Sequence, residues 1–183
     1  IRIMEKTIQR ALGRELHHLI GSNQVGFQTD KYIGEATALD QLLIARCKKP
    51  GHELPGLMLL LDGEKAYDRI QHAWLDHCMI AMGFPDTFRH LIGTLPKGAE
   101  TAVKVNGAIS DSFERKNGVR QGSPLSPLLY LLCLQPLLDK LDSDEGVVGI
   151  PIQAVHHLPA SEARVMAYAD DTAIFLRGVD QLT

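Results

Sequence analysis

The sequence predicts an α+β fold, with helices on one side of a mainly antiparallel sheet. Three observations point there. Two early segments repeat apolar residues every three or four positions, as amphipathic helices do. Later apolar runs have strand length and end in turn residues. The elements run in the order two helices, strand, helices, hairpin, helix and strands.

The first helix is expected over residues 1–20, where Ile1, Met4, Ile8, Leu12, Leu16 and Leu19 share a stripe and Gly21 ends it. Ser22 to Asp30 is expected as a loop. A second helix is expected from Lys31 to Lys48, with Ile33, Ala36, Leu43, Ile44 and Cys47 on one side. Pro50, Gly51, Pro55 and Gly56 bracket another loop. Leu57 to Leu61 is a continuous apolar run, expected as a buried central strand. Asp68 and Gln71 have capping-box spacing, which predicts a helix from there to Met82. A short helix follows from Asp86 to Gly93. Asn106-Gly107 between Thr101–Val105 and Ser110–Arg115 predicts a hairpin with a type I′ turn. Pro124 to Leu141 is mostly apolar and is expected as a buried helix, with Pro124 at its first position. Strands are expected at Val147–Gln153, Arg164–Ala169 and Thr172–Arg177, the last two joined at Asp170-Asp171.

Composition narrows the class. Of 183 residues, 45% are hydrophobic and 22% charged, which suits one domain or one domain with a partial neighbour. The longest apolar runs are far too short to span a bilayer, so no membrane partner is expected. The three cysteines, Cys47, Cys78 and Cys133, are scattered and form no CxxC pair, which argues against a disulfide framework or a cysteine zinc site. The net charge of −3 is unevenly spread. Residues 1–50 hold eight Lys/Arg against five Asp/Glu, and the remainder holds eleven against seventeen. A basic front suits phosphate contacts, and an acidic back suits metal-binding carboxylates.

Three acidic residues carry the chemistry. Asp62 follows the strand at Leu57–Leu61, and Asp170 and Asp171 lie at a strand-turn-strand. Clustered carboxylates repel unless a cation neutralises them. Mg²⁺ suits hard oxygens that leave room for water and phosphate. Two such ions about 3.5–4 Å apart can activate a hydroxyl and stabilise a leaving pyrophosphate. Asp-Asp alone would be an ordinary polar turn. Here Tyr168-Ala169-Asp170-Asp171 is preceded by Asp62-Gly63-Glu64-Lys65-Ala66-Tyr67-Asp68 and by Gly118-Val119-Arg120-Gln121-Gly122-Ser123-Pro124-Leu125-Ser126-Pro127.

These three segments, in this order, resemble motifs A, B and C of the reverse transcriptases of non-LTR (LINE-type) retrotransposons. Asn23-Gln24-Val25-Gly26-Phe27 looks like the fingers segment before motif A, and the resemblance spans roughly residues 20–177. It implies a right-hand polymerase, with partial helical fingers at 1–56 and a palm at 57–183. Its activity would be RNA-directed DNA polymerisation, with an RNA template, a DNA primer, dNTPs and two Mg²⁺ ions for which Mn²⁺ can substitute. By resemblance Asp62, Asp170 and Asp171 are catalytic metal ligands, and Gly63 adds a backbone carbonyl. Ala66, Tyr67, Gln121 and Gly122 meet the incoming dNTP, with Tyr67 as the gate against a 2′-hydroxyl. Tyr168 lies near the primer end. Asp30-Lys31 stands where relatives often carry Gly-Arg, which weakens that loop as a template contact. The chain begins at Ile1 and reads as a piece of a longer protein, with the upstream fingers, primer grip and thumb outside it. The family's target-primed chemistry implies a nuclear site of action, and a cytoplasmic one is equally compatible with the sequence, which shows no targeting signal.

Two other polymerases and one non-enzyme stay as alternatives. A viral RNA-dependent RNA polymerase usually has Asp at the position of Tyr67 and a Gly-Asp-Asp turn. A group II intron enzyme shares the Tyr-Ala-Asp-Asp turn but differs around the segment at Arg120–Pro127. A decayed remnant would keep the fold as an inert or RNA-binding module.

Overall fold

Helix α1 (Arg2–Leu19) buries Ile8, Leu12 and Leu16 along one stripe, as its periodicity requires. Met4, expected on that stripe, is largely exposed, and Glu5 beside it is buried. The structure, a computed structural model, describes residues 2–48, 56–96, 100–152 and 160–178. Expectations resting on Pro50, Gly51, Pro55 and Gln153 fall outside those residues. The chain divides into two compact units, one of residues 1–11 with 65–133 and one of 12–64 with 134–183.

The second unit holds the main sheet. Strand β1 (Leu57–Leu61) pairs antiparallel with β9 (Asp171–Leu176), which pairs antiparallel with β8 (Val165–Tyr168), in the order β1-β9-β8. A parallel bridge from Gln24 to Ala167 extends the far side of β8. The expectation of a central β1 is therefore corrected. Among the described residues β1 is an edge, β9 is the centre, and Leu60 is 70% exposed. A continuous apolar run is a weak guide to strand position, because it reports composition and not neighbours.

Alternate residues of the sheet face opposite ways. Phe175 joins Leu43 of α2 (Ile33–Cys47), Ile150 and Ala163 in one buried cluster, with Met58, Met166 and Ala173 packed against it. Val165 and Ala167 join Leu138 in another, with Ile174, Leu134 and Leu141. The α+β class stands. The two clusters place α2 and the second half of α6 (Ser126–Ser143) on opposite faces of this sheet, where helices on one side were expected. Ile33 and Ile44 of α2 are exposed, so its buried stripe is narrower than the sequence suggested. Strand β6 (Ile150–Ile152) pairs with β7 (Ser161–Ala163), a strand that the sequence reading missed because Ser-Glu-Ala has no apolar alternation.

In the other unit, the helix expected from Asp68 to Met82 is two helices, α3 (Ala66–Arg69) and α4 (His72–Ala81). Asp68 lies inside α3, and no side-chain cap precedes α4, so the capping-box reading is corrected. The break has a cause. The Tyr67 and Ile70 carbonyls, which a continuous helix would use internally, accept the Val119 and Gly118 N–H groups at 2.8 and 2.7 Å. Helix α5 (Asp86–Thr94) follows as expected. The hairpin is present as two short ladders, β2 (Glu100–Thr101) with β5 (Phe113–Glu114) and β3 (Lys104–Val105) with β4 (Ala108–Ile109). Asn106 and Gly107 have φ of 49° and 86°, as a type I′ turn demands. Helix α6 starts two residues after Pro124, and its residues 128–133 are buried all round. Among the described residues no helix is long and apolar enough to cross a membrane.

Candidate active site

Asp62, Asp170 and Asp171 gather at one end of the three-stranded sheet. Leu61 of β1 pairs with Thr172 of β9, so Asp62 is the next residue along one strand and Asp171 the preceding residue of the other. Asp171 pairs with Tyr168 across the tight turn, which leaves Ala169 and Asp170 as the turn itself. The turn was expected one residue later, at Asp170-Asp171. Ala169 takes the left-handed conformation, φ 56°, and this shifts the turn. Asp62 and Asp171 are exposed and Asp170 is half-buried. Among the described residues none of the three carboxylates is held by an ion pair or a side-chain hydrogen bond.

The donor set fits a hard divalent cation in kind. Oxygen ligands at the end of a rigid sheet, with no Lys or Arg ion-paired to them among the described residues, suit Mg²⁺. A closed cage is not formed, because no group of three or more His, Cys, Asp or Glu side chains among the described residues is placed to hold a metal. Mg²⁺ commonly uses one or two carboxylates and takes its other ligands from water and phosphate, so a cage is not required.

The turn is supported from behind by residues 23–26. The Val25 N–H donates to the Ala167 carbonyl at 2.8 Å, and the Ala167 N–H donates to the Asn23 carbonyl at 2.7 Å. Gln24 is 0% exposed. Its Nε2 donates to the Ala169 carbonyl at 3.1 Å, and its Oε1 accepts the Ala169 N–H at 3.0 Å and the Gly26 N–H at 2.8 Å. A Cβ on Gly26 would lie 2.5 Å from the Ala169 nitrogen. Sequence reasoning assigned Gln24 no task, and nothing local could have done so, since its partner is 145 positions away.

Tyr168 is half-buried and stacks on Phe27, with centroids 6.4 Å apart. Lys31 donates to the Gly21 and Gln24 carbonyls, both at 3.0 Å, and burial lowers its pKa. It thus staples its own loop.

The residues expected at the nucleotide lie in the other unit. Tyr67 in α3 is half-buried, and its ring stacks on buried Tyr130 of α6 at 4.8 Å between centroids. Tyr130 lies within an apolar run of the sequence, where nothing local marks it. Gln121 donates through Nε2 to Asp68 Oδ2 at 3.1 Å, so its carboxamide is already oriented. Gly122 has φ 79° with open space around it, so the backbone conformation, and not crowding, demands glycine there. Ala66 is half-buried beside Tyr67. His72, Asp76 and His77, which share a helix, do not form a metal site. His72 Nε2 lies 2.9 Å from the Gly118 carbonyl, and Asp76 is paired with Arg89 at 2.7 Å.

Known proteins share both this sequence pattern and this fold. The family described as reverse transcriptase (RNA-dependent DNA polymerase) matches residues 1–183. A 149 kDa protein of transposon TX1 from Xenopus laevis is 30% identical over 94% of the chain. The Pol polyprotein of retrotransposable element R2DM from Drosophila melanogaster is 32% identical over 83% of it. The chain spans only 13% of the length of either relative. Two telomerase structures from Candida tropicalis share the fold, at TM-scores of 0.57 and 0.59 and identities of 17% and 16%, each over 99% of this chain. The chain covers 34% and 29% of those telomerase chains. The resemblance to non-LTR retrotransposon enzymes is thereby borne out, and the chain belongs to the reverse transcriptase (RNA-dependent DNA polymerase) family.

Proposed function

We propose that this chain is the catalytic core of an RNA-directed DNA polymerase, which adds dNTPs to the 3′-hydroxyl of a DNA primer on an RNA template. The observation that carries the reading is the β1–β9 register, which brings Asp62 and Asp171 to one sheet end with Asp170 in the adjoining turn. Reverse transcriptases use divalent metal ions. Bound here, two Mg²⁺ ions would neutralise the charge that develops on the attacking and leaving oxygens, and Mn²⁺ would substitute. Asp62, Asp170 and Asp171 would hold them, with the Gly63 carbonyl as a further oxygen ligand. Tyr67, kept flat by Tyr130, would close the space a 2′-hydroxyl needs. Gln121, oriented by Asp68, and Gly122 would meet the nucleotide along with Ala66. Tyr168 would sit at the primer end. Residues 1–56 would belong to the fingers and 57–183 to the palm, with the thumb and other parts supplied by the longer parent protein. The site of action would be nuclear or cytoplasmic.

The test is DNA synthesis on poly(rA)/oligo(dT) by the full-length protein. Asp170→Asn should reduce it to assay background. Tyr67→Val should keep synthesis while raising rNTP use relative to dNTP. Undiminished synthesis by Asp170→Asn would overturn the site, and unchanged sugar choice would move the gate to another residue.

A further inference from the structure

We propose that Gln24 is a positioning residue for the metal-binding turn: its buried carboxamide grips the peptide groups around Ala169 and so fixes the orientation of Asp170. The inference rests on reading Asp170 as a metal ligand, and it adds a residue that no motif aspartate implies.

The need for such a grip follows from the fold. The β8–β9 ladder ends at the pair Tyr168–Asp171, so neither polar group of Ala169 has a strand partner. Ala169 is nonetheless buried, and buried backbone groups left unpaired are costly. Its left-handed φ of 56° costs a non-glycine residue about 1–2 kcal/mol, so the turn would relax if released. Gln24 meets both groups from one side chain.

The geometry then reaches Asp170. The Ala169 carbonyl shares a rigid peptide plane with the Asp170 nitrogen. Holding that carbonyl at 3.1 Å therefore sets the plane from which the Asp170 side chain departs. Gln24 is itself kept from rotating, because its Oε1 also accepts the Gly26 N–H. The backbone bonds between Asn23, Val25 and Ala167 anchor the segment to β8. Gly26 reports on the same contact from the backbone side. Any Cβ there would strike the Ala169 nitrogen at 2.5 Å and press on the Gln24 Oε1 at 3.0 Å, so it would displace the turn and the side chain that grips it. A carboxylate that must meet a cation and a phosphate together tolerates little displacement.

The experiment uses the full-length protein and two variants, Gln24→Met, which keeps volume but loses the three bonds, and Gly26→Ala. Hydrogen exchange should accelerate in peptides covering Ala167–Asp171 and stay unchanged along β1 and the rest of β9. Mn²⁺ affinity, read from free Mn²⁺ by electron paramagnetic resonance, should weaken about 10- to 100-fold, the range for loss of a partner that orients a metal ligand. The kcat on poly(rA)/oligo(dT) should fall by a similar factor, with the KM for dTTP nearly unchanged. Unaltered exchange at the turn, or unaltered Mn²⁺ affinity and kcat, would overturn the proposal. Uniformly faster exchange across the sheet would also overturn it, since that marks a general loss of stability. Asp170→Asn serves as the reference. If it too leaves Mn²⁺ binding and synthesis intact, the failure lies in the metal-ligand reading and not in the role of Gln24.

Discussion

Two tight turns of this chain differ most in how they are supported. Asn106-Gly107 and Ala169-Asp170 both join antiparallel strands, the first with both residues left-handed and the second with Ala169 left-handed. The first sits between two-residue ladders whose neighbours Val103, Val105, Ile109 and Phe113 are all exposed. The second leads into β9, which has a strand on each side and Phe175 in its core, and is gripped through Gln24. A turn sequence therefore specifies a bend and says nothing of its support. The more firmly held turn is the one proposed to carry the chemistry, and its support comes from residues far away in sequence.

The largest test of that contrast compares two phenylalanines. Phe175 is 1% exposed, and Phe175→Ala should destabilise the chain by about 3–5 kcal/mol in a denaturant melt. Phe113 is 49% exposed, and Phe113→Ala should cost about 1 kcal/mol or less. Equal costs would mean that the β2–β5 hairpin is as firmly held as the main sheet.

The unit that carries the loose hairpin has a firm interior of its own, and pH can measure it. Cys133 is buried against Cys78, and burial first, then the neighbouring thiol, pushes its pKa up to about 12 from the usual 9.0. A raised pKa means that the folded state holds the proton more tightly. Its contribution is present in full below about 9 and is lost as pH rises through about 12. At about 1.4 kcal/mol per pH unit the swing is at most roughly 4 kcal/mol. Chemical melts between pH 8 and 11 should show a steeper loss for the parent than for Cys133→Ala. Parallel slopes would show that the interior around α4 and α6 admits water as the hairpin does.

The same contrast explains what the sequence could and could not reveal. Asn106-Gly107 was legible because the φ values of a type I′ turn are a local matter. The stripe of α1 and the two acidic segments were legible for similar reasons: spacing and order lie along the chain. Neighbours do not. The edge position of β1, the opposed faces covered by α2 and α6, the split of α3 from α4 by Gly118 and Val119, and the grip of Gln24 all depend on partners dozens of residues away. Of the proposed site, the aspartates and Tyr67 stand out in the sequence by type and order, while Tyr130, Asp68 as the partner of Gln121, and Gln24 needed coordinates.

The smallest effect is also the sharpest, because it exchanges residue types between the two turns. Gly107 has φ 86° and open space around the position of a Cβ, so Gly107→Ala meets backbone strain alone and should cost about 1–2 kcal/mol. Ala169 already bears that strain at φ 56°. Ala169→Gly would relieve it but would also remove a buried methyl worth about 0.8 kcal/mol and widen the freedom of the unfolded chain by about 0.4–1 kcal/mol. These terms nearly cancel, so Ala169→Gly should leave stability within about 1 kcal/mol of the parent. Its hydrogen exchange should change little, because Gln24 holds the backbone groups of residue 169 whichever side chain stands there. In a Gln24→Met background the cancellation should fail. The alanine turn, no longer gripped, would relax from its left-handed conformation, while a glycine turn would have no strain to release. Exchange at residues 167–171 should then be faster in the Gln24→Met single variant than in the double variant that also carries Ala169→Gly. The reverse order would show that the turn is held by its strands alone, and the distinction between the two turns would lose its basis.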